Sequence, residues 1–484
     1  MLKKAINKYK MLPKQVKASF WFLICAFLQK GISLITTPIF TRLMSTAEYG
    51  KYNVFNSWLT IITVFVSLNL YYGVYIQGLV KFEDKKKEYT SALQGLCLTS
   101  VCVWTVIYLI FHDFWNRLFS LTTVQMTAMI LMIWASSVFR FWAAQQRVEL
   151  KYIKLVTITI IVSIAKPLIG IFCVVFAEDK VTARILGLAA VEVVAYTALF
   201  FKHMIEGKVF FSKKIWKYAL CFNLPLIPHY LSQSVLSGAD RIMIEKMTGE
   251  AEAGIYSLAY SVSLIMILFN TALIQTVEPW MYKKIKEKKY EEIGKIIYPS
   301  FIIIALVNIL LMMFAPEIVG IFAPKAYYDA IWVIPPVSMS VFFMFTYTFF
   351  SVFEFYYEKT GLITLATMAG AALNIILNYI FIGIFGYYAA GYTTLLCYMV
   401  YSVMHFIIMK WIFKKYIKKQ CPYSTRMLFI ITLVFMGTGF IFLFTYYNRI
   451  IRYILIAVLF IVLFIIRNKL INITKNIINL KKNK

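Results

Sequence analysis

Long apolar runs alternate along this chain with short polar gaps, and every second gap but the one at Lys359 is rich in positive charge. A membrane-spanning helix needs about 20 mostly apolar residues. Fourteen such runs are read, at approximately 18–43, 47–76, 88–113, 121–146, 151–177, 181–204, 216–244, 251–281, 291–315, 327–354, 360–384, 387–413, 425–446 and 450–467. No other feature narrows the fold as far: the class is all-α and polytopic.

The charge fixes an expected orientation. Six Lys lie between Met1 and Ser19, four between Lys81 and Lys87, four Lys or Arg between Arg140 and Lys154, and five between Lys202 and Lys217. Six more lie between Lys283 and Lys295, six between Lys410 and Arg426, and six between Arg467 and Lys484. With the gap at Lys359, thirty-eight of the 50 Lys and Arg fall on one expected side. Seven fall on the other: Arg117, Lys180, Arg184, Lys246, Lys325, Arg449 and Arg452. Cytoplasmic loops carry the excess of Lys and Arg, so both termini are expected in the cytoplasm.

The chain is 61% hydrophobic, above the range of soluble domains. Its net charge of +28 sits in loops between spans, so it is read as facing anionic lipid headgroups and not nucleic acid. The first run, from Phe20, is too long for a signal peptide core and lacks a cleavage site of small residues. The seven Cys are scattered, without a C-x-x-C pair, and read as small apolar residues. Only four His occur, His112, His203, His229 and His405, far apart in sequence. No nucleotide-binding loop, nucleophile elbow or metal-ligand cluster is visible, so no enzyme activity, cofactor or metal is expected.

An internal echo suggests duplication. Ala47-Glu48-Tyr49-Gly50-Lys51-Tyr52 opens the second run, and Ala251-Glu252-Ala253-Gly254-Ile255-Tyr256 opens the eighth, six runs later. Two parallel six-helix bundles explain that spacing, at 1–210 and 211–423, with an additional helix pair and basic tail at 424–484. Such repeats place a substrate site near the bilayer midplane.

Two segments carry a resemblance. One is Thr37-Pro38-Ile39-Phe40-Thr41-Arg42-Leu43-Met44-Ser45, running into Glu48-Tyr49-Gly50-Lys51-Tyr52. The other is Gly238-Ala239-Asp240-Arg241-Ile242-Met243-Ile244, running into Ala253-Gly254-Ile255-Tyr256-Ser257-Leu258-Ala259-Tyr260. The chain resembles the polysaccharide transporter family, the Wzx-type flippases of the multidrug/oligosaccharidyl-lipid/polysaccharide (MOP) exporter superfamily. The resemblance implies a V-shaped pair of bundles in a bacterial cytoplasmic membrane. It implies movement of a polyprenyl-pyrophosphate-linked oligosaccharide from inner to outer leaflet, for O-antigen or capsule assembly. Other polysaccharide-assembly proteins would be partners, and the motifs leave the glycan open.

Ionisable residues inside spans are costly and mark functional candidates. Lys30, in mid-span 1, is the first expected contact for an anionic head, or else pairs with a carboxylate from another span. Lys166, beside Pro167, is expected either on the substrate or in a pair with Glu192. Arg241, with Asp240 and Arg42, is expected to bind the substrate head alongside Lys30; a gate ion pair of Asp240 and Arg241 with Arg42 and Glu48, or a place at the interface, is the other reading. Glu278, beside Pro279, is a coupling candidate for an unassigned ion, H+ or Na+. Glu354 and Glu358 lie at the inner end of span 10. Pro225 and Pro228 break span 7 and give a flexible point, and His229 there is read either as a proton carrier or as hydrogen-bonded. Tyr71, Tyr72, Tyr75, Tyr347 and Tyr356 are read as interface rings or as platforms for sugars.

Two rival readings stand. A cation-coupled drug exporter of the same superfamily would have twelve spans and a carboxylate-rich first bundle. A membrane-embedded polysaccharide polymerase would carry a large outer loop with Arg or His, and the longest outer gap here is about a dozen residues.

Overall fold

A computed structural model describes residues 14–465 together with 467, 468, 471, 472 and 475. Most of the two basic tails used for orientation lies outside the described residues. The chain divides into two compact units, one ending at Ile242 and one beginning at Met243. The division falls inside the seventh expected span.

The first unit contains α1 (Lys14–Leu43), α2 (Thr46–Val66), α3 (Gly73–Lys81), α4 (Lys86–Ile110), α5 (His112–Phe119), α6 (Thr123–Val148), α7 (Tyr152–Phe176), α8 (Lys180–Gly207), α9 (Lys213–Asn223) and most of α10 (Ile227–Met247). Helix α8 packs against α7, α6 and α4, while α1 lies along α7. Close packing of α4 relies on glycine. A Cβ on Gly95 would stand 2.1 Å from the carbonyl oxygen of Phe210, and one on Gly207 would stand 2.3 Å from that of Lys87.

The first of the two segments that carry the resemblance serves this packing. Ser45 and Glu48 form a capping box at the start of α2, with bonds of 3.2 and 2.7 Å. The Arg184 guanidinium lies between the rings of Phe40 and Tyr52, 3.4 and 3.5 Å from their centroids. Lys180 donates to the carbonyl of Leu43 at 2.8 Å, meeting one of the carbonyls left open where α1 ends. These contacts join α1, α2 and α8.

The second unit contains α11 (Glu250–Ser263), α12 (Ile265–Lys286), α13 (Tyr290–Met313), α14 (Ala315–Phe322), α15 (Ile334–Tyr356), α16 (Thr360–Phe385), α17 (Tyr388–Ile412), α18 (Thr425–Thr445) and α19 (Arg449–Ile465). Its centre is α15, with 83% of its apolar window buried, against 17% for α18 at the periphery. Pro335 and Pro336 open α15, where a missing N–H costs no helical bond. Phe342, Phe345, Phe349 and Phe353 recur every three or four residues and build one buried stripe with Phe301 and Phe435. On α14, Glu317 accepts from Arg452 and from the Tyr453 hydroxyl (2.6 Å), and Arg452 is buried. That contact fastens the last helix to the unit.

Among the described residues, eleven helices are long and apolar enough to cross a membrane, three fewer than expected. Helix α2 stops at Val66, so span 2 is shorter and more polar than its apolar run suggests. Span 7 is divided by the 3-10 turn Leu224–Leu226. Helix α19 is 17 residues long as described. Helices α11 and α12 form one bent span over Glu250–Lys286. At the bend Ser257, Ser261 and Ser263 each bond a carbonyl one turn back, at 2.6, 2.8 and 2.9 Å, which loosens the ladder.

Candidate functional site

Helix α2 ends at Ser67 in the interior of the first unit. Leu68 and Asn69 follow with φ of 52° and 49°, two consecutive non-glycine residues in the left-handed region. Such a conformation is strained and survives only where the surroundings impose it. Here they do. The Ser67 hydroxyl accepts from the Asn69 N–H at 3.2 Å, and the Asn223 side-chain amide donates to the Leu68 carbonyl. Asn223 ends α9, so the breaks in spans 2 and 7 are bonded to each other.

The unwound turn faces a cavity of about 470 Å³. Thr60 and Thr63 of α2, Asn69, Tyr71 and Tyr72 of the turn, Ser136 and Arg140 of α6, Glu192 of α8, and Tyr230, Gln233, Ser234 and Ser237 of α10 line it. Hydroxyl, amide and phenol groups dominate, inside a unit whose outer surface is apolar.

Arg140 is eight residues short of the end of α6, about 12 Å along the axis. It donates to the Tyr71 hydroxyl at 2.9 Å, with its guanidinium 4.9 Å from the Tyr71 ring. The Tyr71 hydroxyl in turn donates to Asn69 Oδ1 at 2.7 Å. Arg140 makes no ion pair among the described residues and is exposed. Tyr72 stacks on Tyr230 at 5.9 Å, with 26° between the rings. Tyr72 is half exposed, so its ring is open to the cavity. A fixed guanidinium with free N–H groups beside a flat aromatic pair and many hydroxyls suits an anionic, sugar-bearing head.

Comparison with known proteins fits this arrangement. The family model described as polysaccharide biosynthesis protein matches residues 16–284, more than half of the chain. The chain belongs to the polysaccharide biosynthesis protein family. A second model, MatE, matches residues 225–380. Among relatives of this family member, the Lsg locus putative protein 1 of Haemophilus influenzae is 24% identical over 387 residues, which is 72% of this chain and 87% of that protein. The probable low-salt glycan biosynthesis flippase Agl15 of Haloferax volcanii is 26% identical over 160 residues, 32% of this chain and 34% of that protein. Solved transporters of the MOP superfamily share the fold. The lipid II flippase MurJ, in an inward closed conformation, aligns with a TM-score of 0.64 at 12% identity, over 88% of this chain and 98% of its own.

Within this family member, the sequence-derived candidates fall into separate groups. Lys30 is exposed midway along α1 and makes no ion pair among the described residues. Lys166 is bound to Glu192, with side-chain exposures of 30% and 7%. Of its two expected places, the pair is the one found, because α7 and α8 form a tight hairpin that brings the residues face to face. Arg42 donates to the carbonyl of Pro38 at 2.8 Å and Arg241 to that of Ser237 at 3.0 Å, each one turn back in its own helix. Asp240 is buried. His229 is 3.3 Å from Gln233, one turn on along α10, at the bend made by Pro225 and Pro228. Glu278 lies half-buried in α12 beside Pro279 and makes no ion pair among the described residues.

Arg140 and Asn69 were not among the sequence candidates. The sequence groups Arg140 with the charged gap after span 4, whereas it stands within α6. The one local signal at Asn69 is its residue type, since Asn tolerates the left-handed region better than most residues.

Outside the spans, two carboxyls are tuned by their surroundings. Burial opposes ionisation of Glu149, but hydrogen bonds from Lys151 and Gln145 outweigh it and hold the carboxyl below the usual range. For Asp179, the N-cap of α8, slight burial is likewise outweighed by bonds from Thr182 and Val181, and its carboxyl is also lowered.

Proposed function

We propose that this protein is a flippase that moves a polyprenyl-pyrophosphate-linked oligosaccharide from the inner to the outer leaflet, for surface polysaccharide assembly. One observation carries the reading: Arg140, in no ion pair among the described residues, is held by Tyr71 at a cavity of hydroxyls and stacked phenols whose carboxylate, Glu192, is bound to Lys166. A pyrophosphate-linked glycan cannot cross about 30 Å of hydrocarbon unaided. Arg140 takes the phosphates, the Tyr72–Tyr230 pair takes a sugar face, and Lys30 is a second cation for the head. The lipid tail stays in the bilayer, and alternating access carries the head across without a change in any covalent bond. Family membership, the flippase relative and the shared fold support this reading.

The same proposal includes fourteen spans with both ends in the cytoplasm of a bacterium, the two-repeat partition at 210/211 and a trailing pair from 424. Lys166, Arg42, Asp240 and Arg241 are assigned, with Lys30, to the substrate head. Glu192, His229 and Glu278, with the Pro225–Pro228 bend, are assigned to the conformational cycle.

The MatE match favours a second reading, a cation-coupled multidrug exporter of the same superfamily. Arg140 opposes it, since its charge repels a cation in the cavity. The test is surface glycan in cells carrying Arg140→Ala or Arg140→Glu at wild-type protein level. Loss of glycan is expected, most completely for the reversed charge. Full export by Arg140→Glu, or drug accumulation that depends on the protein, would overturn the flippase reading.

A further inference from the structure

No Asp or Glu follows Glu358 in the sequence, while fifteen Lys and Arg do. Four of these, Lys414, Lys415, Lys418 and Lys419, lie within six residues just past the end of α17. Other basic gaps are matched from within: Lys85 to Glu88 at 3.3 Å, Lys86 to Glu83 at 3.1 Å, Lys151 to Glu149 at 2.5 Å and Lys284 to Glu292 at 2.6 Å. The four lysines past α17, with Lys359 and Lys410, make no ion pair among the described residues, and neither does Glu358.

Aromatic rings hold these ammonium groups instead. Lys359 stands 4.3 Å from the centroid of Tyr416, Lys415 stands 5.0 Å from that of Trp411 and 5.7 Å from that of Tyr416, and Lys419 stands 5.8 Å from that of Tyr290. The rings are themselves joined. Trp411 meets Tyr416 at 5.4 Å, Tyr416 stacks on Tyr357 at 6.3 Å, and the Tyr357 hydroxyl lies 3.2 Å from that of Tyr290. They come from α13, from the residue after α15, from α17 and from the π-helical turn Phe413–Ile417 that follows it. That turn closes with Lys418 in the left-handed region, φ 54°, its N–H on the Phe413 carbonyl at 2.7 Å. Such π-turns are rare and are frequent at functional sites. A ring faces one side of an ammonium and leaves its other N–H groups free to donate.

We propose that this ring-mounted lysine cluster is a binding site for the phosphate of an anionic phospholipid headgroup. Basic loops attract an anionic leaflet diffusely. Here joined rings from several helices set the cations in one place, and the negative charge that the chain does not supply must come from a ligand. A phosphodiester accepts from several ammonium groups at once. The setting selects a lipid over an acidic protein or a soluble anion. Lys410 donates to Thr425 at 2.8 Å, which ties the cluster to the start of α18, and the next residues there include the exposed Met427 and Phe429. Trp411 and Tyr416 are exposed as well. Cations and amphipathic rings thus stand where an apolar span begins, the level of the headgroups. The site is independent of what the protein transports.

The test is native mass spectrometry of the purified full chain in detergent, titrated with phosphatidylglycerol and separately with phosphatidylcholine of the same acyl chains. Wild type should prefer phosphatidylglycerol; equal binding of the two lipids would overturn the site. The triple variant Lys359→Gln/Lys415→Gln/Lys419→Gln should weaken phosphatidylglycerol binding by about tenfold or more. Lys85→Gln/Lys86→Gln/Lys284→Gln removes the same charge from lysines paired with carboxylates and should weaken it by less than about twofold. Equal weakening by both triple variants would reduce the effect to net charge and overturn the site. Tyr416→Leu keeps every cation and should still weaken binding several-fold; unchanged binding would overturn the role of the rings. Unaltered phosphatidylcholine binding reports that each variant keeps its fold. Excess inorganic phosphate should leave the lipid bound, and displacement would overturn the lipid assignment in favour of a soluble phosphate.

Discussion

The side-chain amide of Asn223 donates to the main-chain carbonyl of Leu68, joining two helix breaks separated by 155 residues of sequence. Each break leaves carbonyls without intrahelical partners, and this bond meets one of them. The strained pair Leu68–Asn69 is held from outside its own helix. Asn223→Ala leaves the part-buried Leu68 carbonyl without this partner, at a cost of about 1–3 kcal/mol. The expected result is a lower unfolding temperature in detergent, read by tryptophan fluorescence, with Asn223→Asp failing to restore it because a carboxylate cannot donate.

Tyr71→Phe removes the hydroxyl that Arg140 and Asn69 share while keeping the buried ring. Arg140 keeps its charge and loses its aim. Export of surface glycan should fall several-fold while stability changes by about 1 kcal/mol. Unchanged export would mean that the direction of the guanidinium is irrelevant.

Lys166 and Glu192 should behave as a coupled pair. Glu192→Leu leaves an ammonium within the spans, and Lys166→Met leaves a carboxylate. Each single change is expected to destabilise by about 1–3 kcal/mol, reduced from the fully buried case because Lys166 is 30% exposed. The double variant should be more stable than either single one. Additive losses in a double-mutant cycle would refute the coupling.

Acid sensitivity should be partly traceable to Asp179. Its carboxyl titrates lower in the folded chain than in the unfolded one, so its contribution is complete above the unfolded value of about 3.9 and disappears as pH falls through the folded value. Asp179→Asn should flatten the loss of stability below about pH 4. Asp179→Ala should also remove about 0.5–2 kcal/mol of capping at neutral pH. Thermal melts across the acid range distinguish these outcomes.

Much of this molecule was legible in the order of its residues. The apolar runs mark the helices, and Pro225 and Pro228 mark the break in span 7, because proline lacks the N–H a helix needs. The Lys166–Glu192 pairing was legible as one of two options, since neighbouring spans joined by a short turn bring such residues together. The break after α2 was not. No proline or glycine precedes Gly73 there, and the conformation of Leu68 is imposed by Asn223, a tertiary contact that leaves no local mark. Arg140 was obscured by its nearness to a charged loop. The contact of Glu354 with His405 Nδ1, at 2.7 Å, was obscured because α15 and α17 pack together across an intervening helix, so no sequence spacing announces it.

Arg452 lies buried against Glu317, and Tyr453 shares the same carboxylate oxygen. A shortened chain lacking the final described helix would leave the Glu317 carboxylate without its cation and its phenol. The terminal segment and position 317 are therefore bound to a common evolutionary fate: descendants that discard one must revise the other.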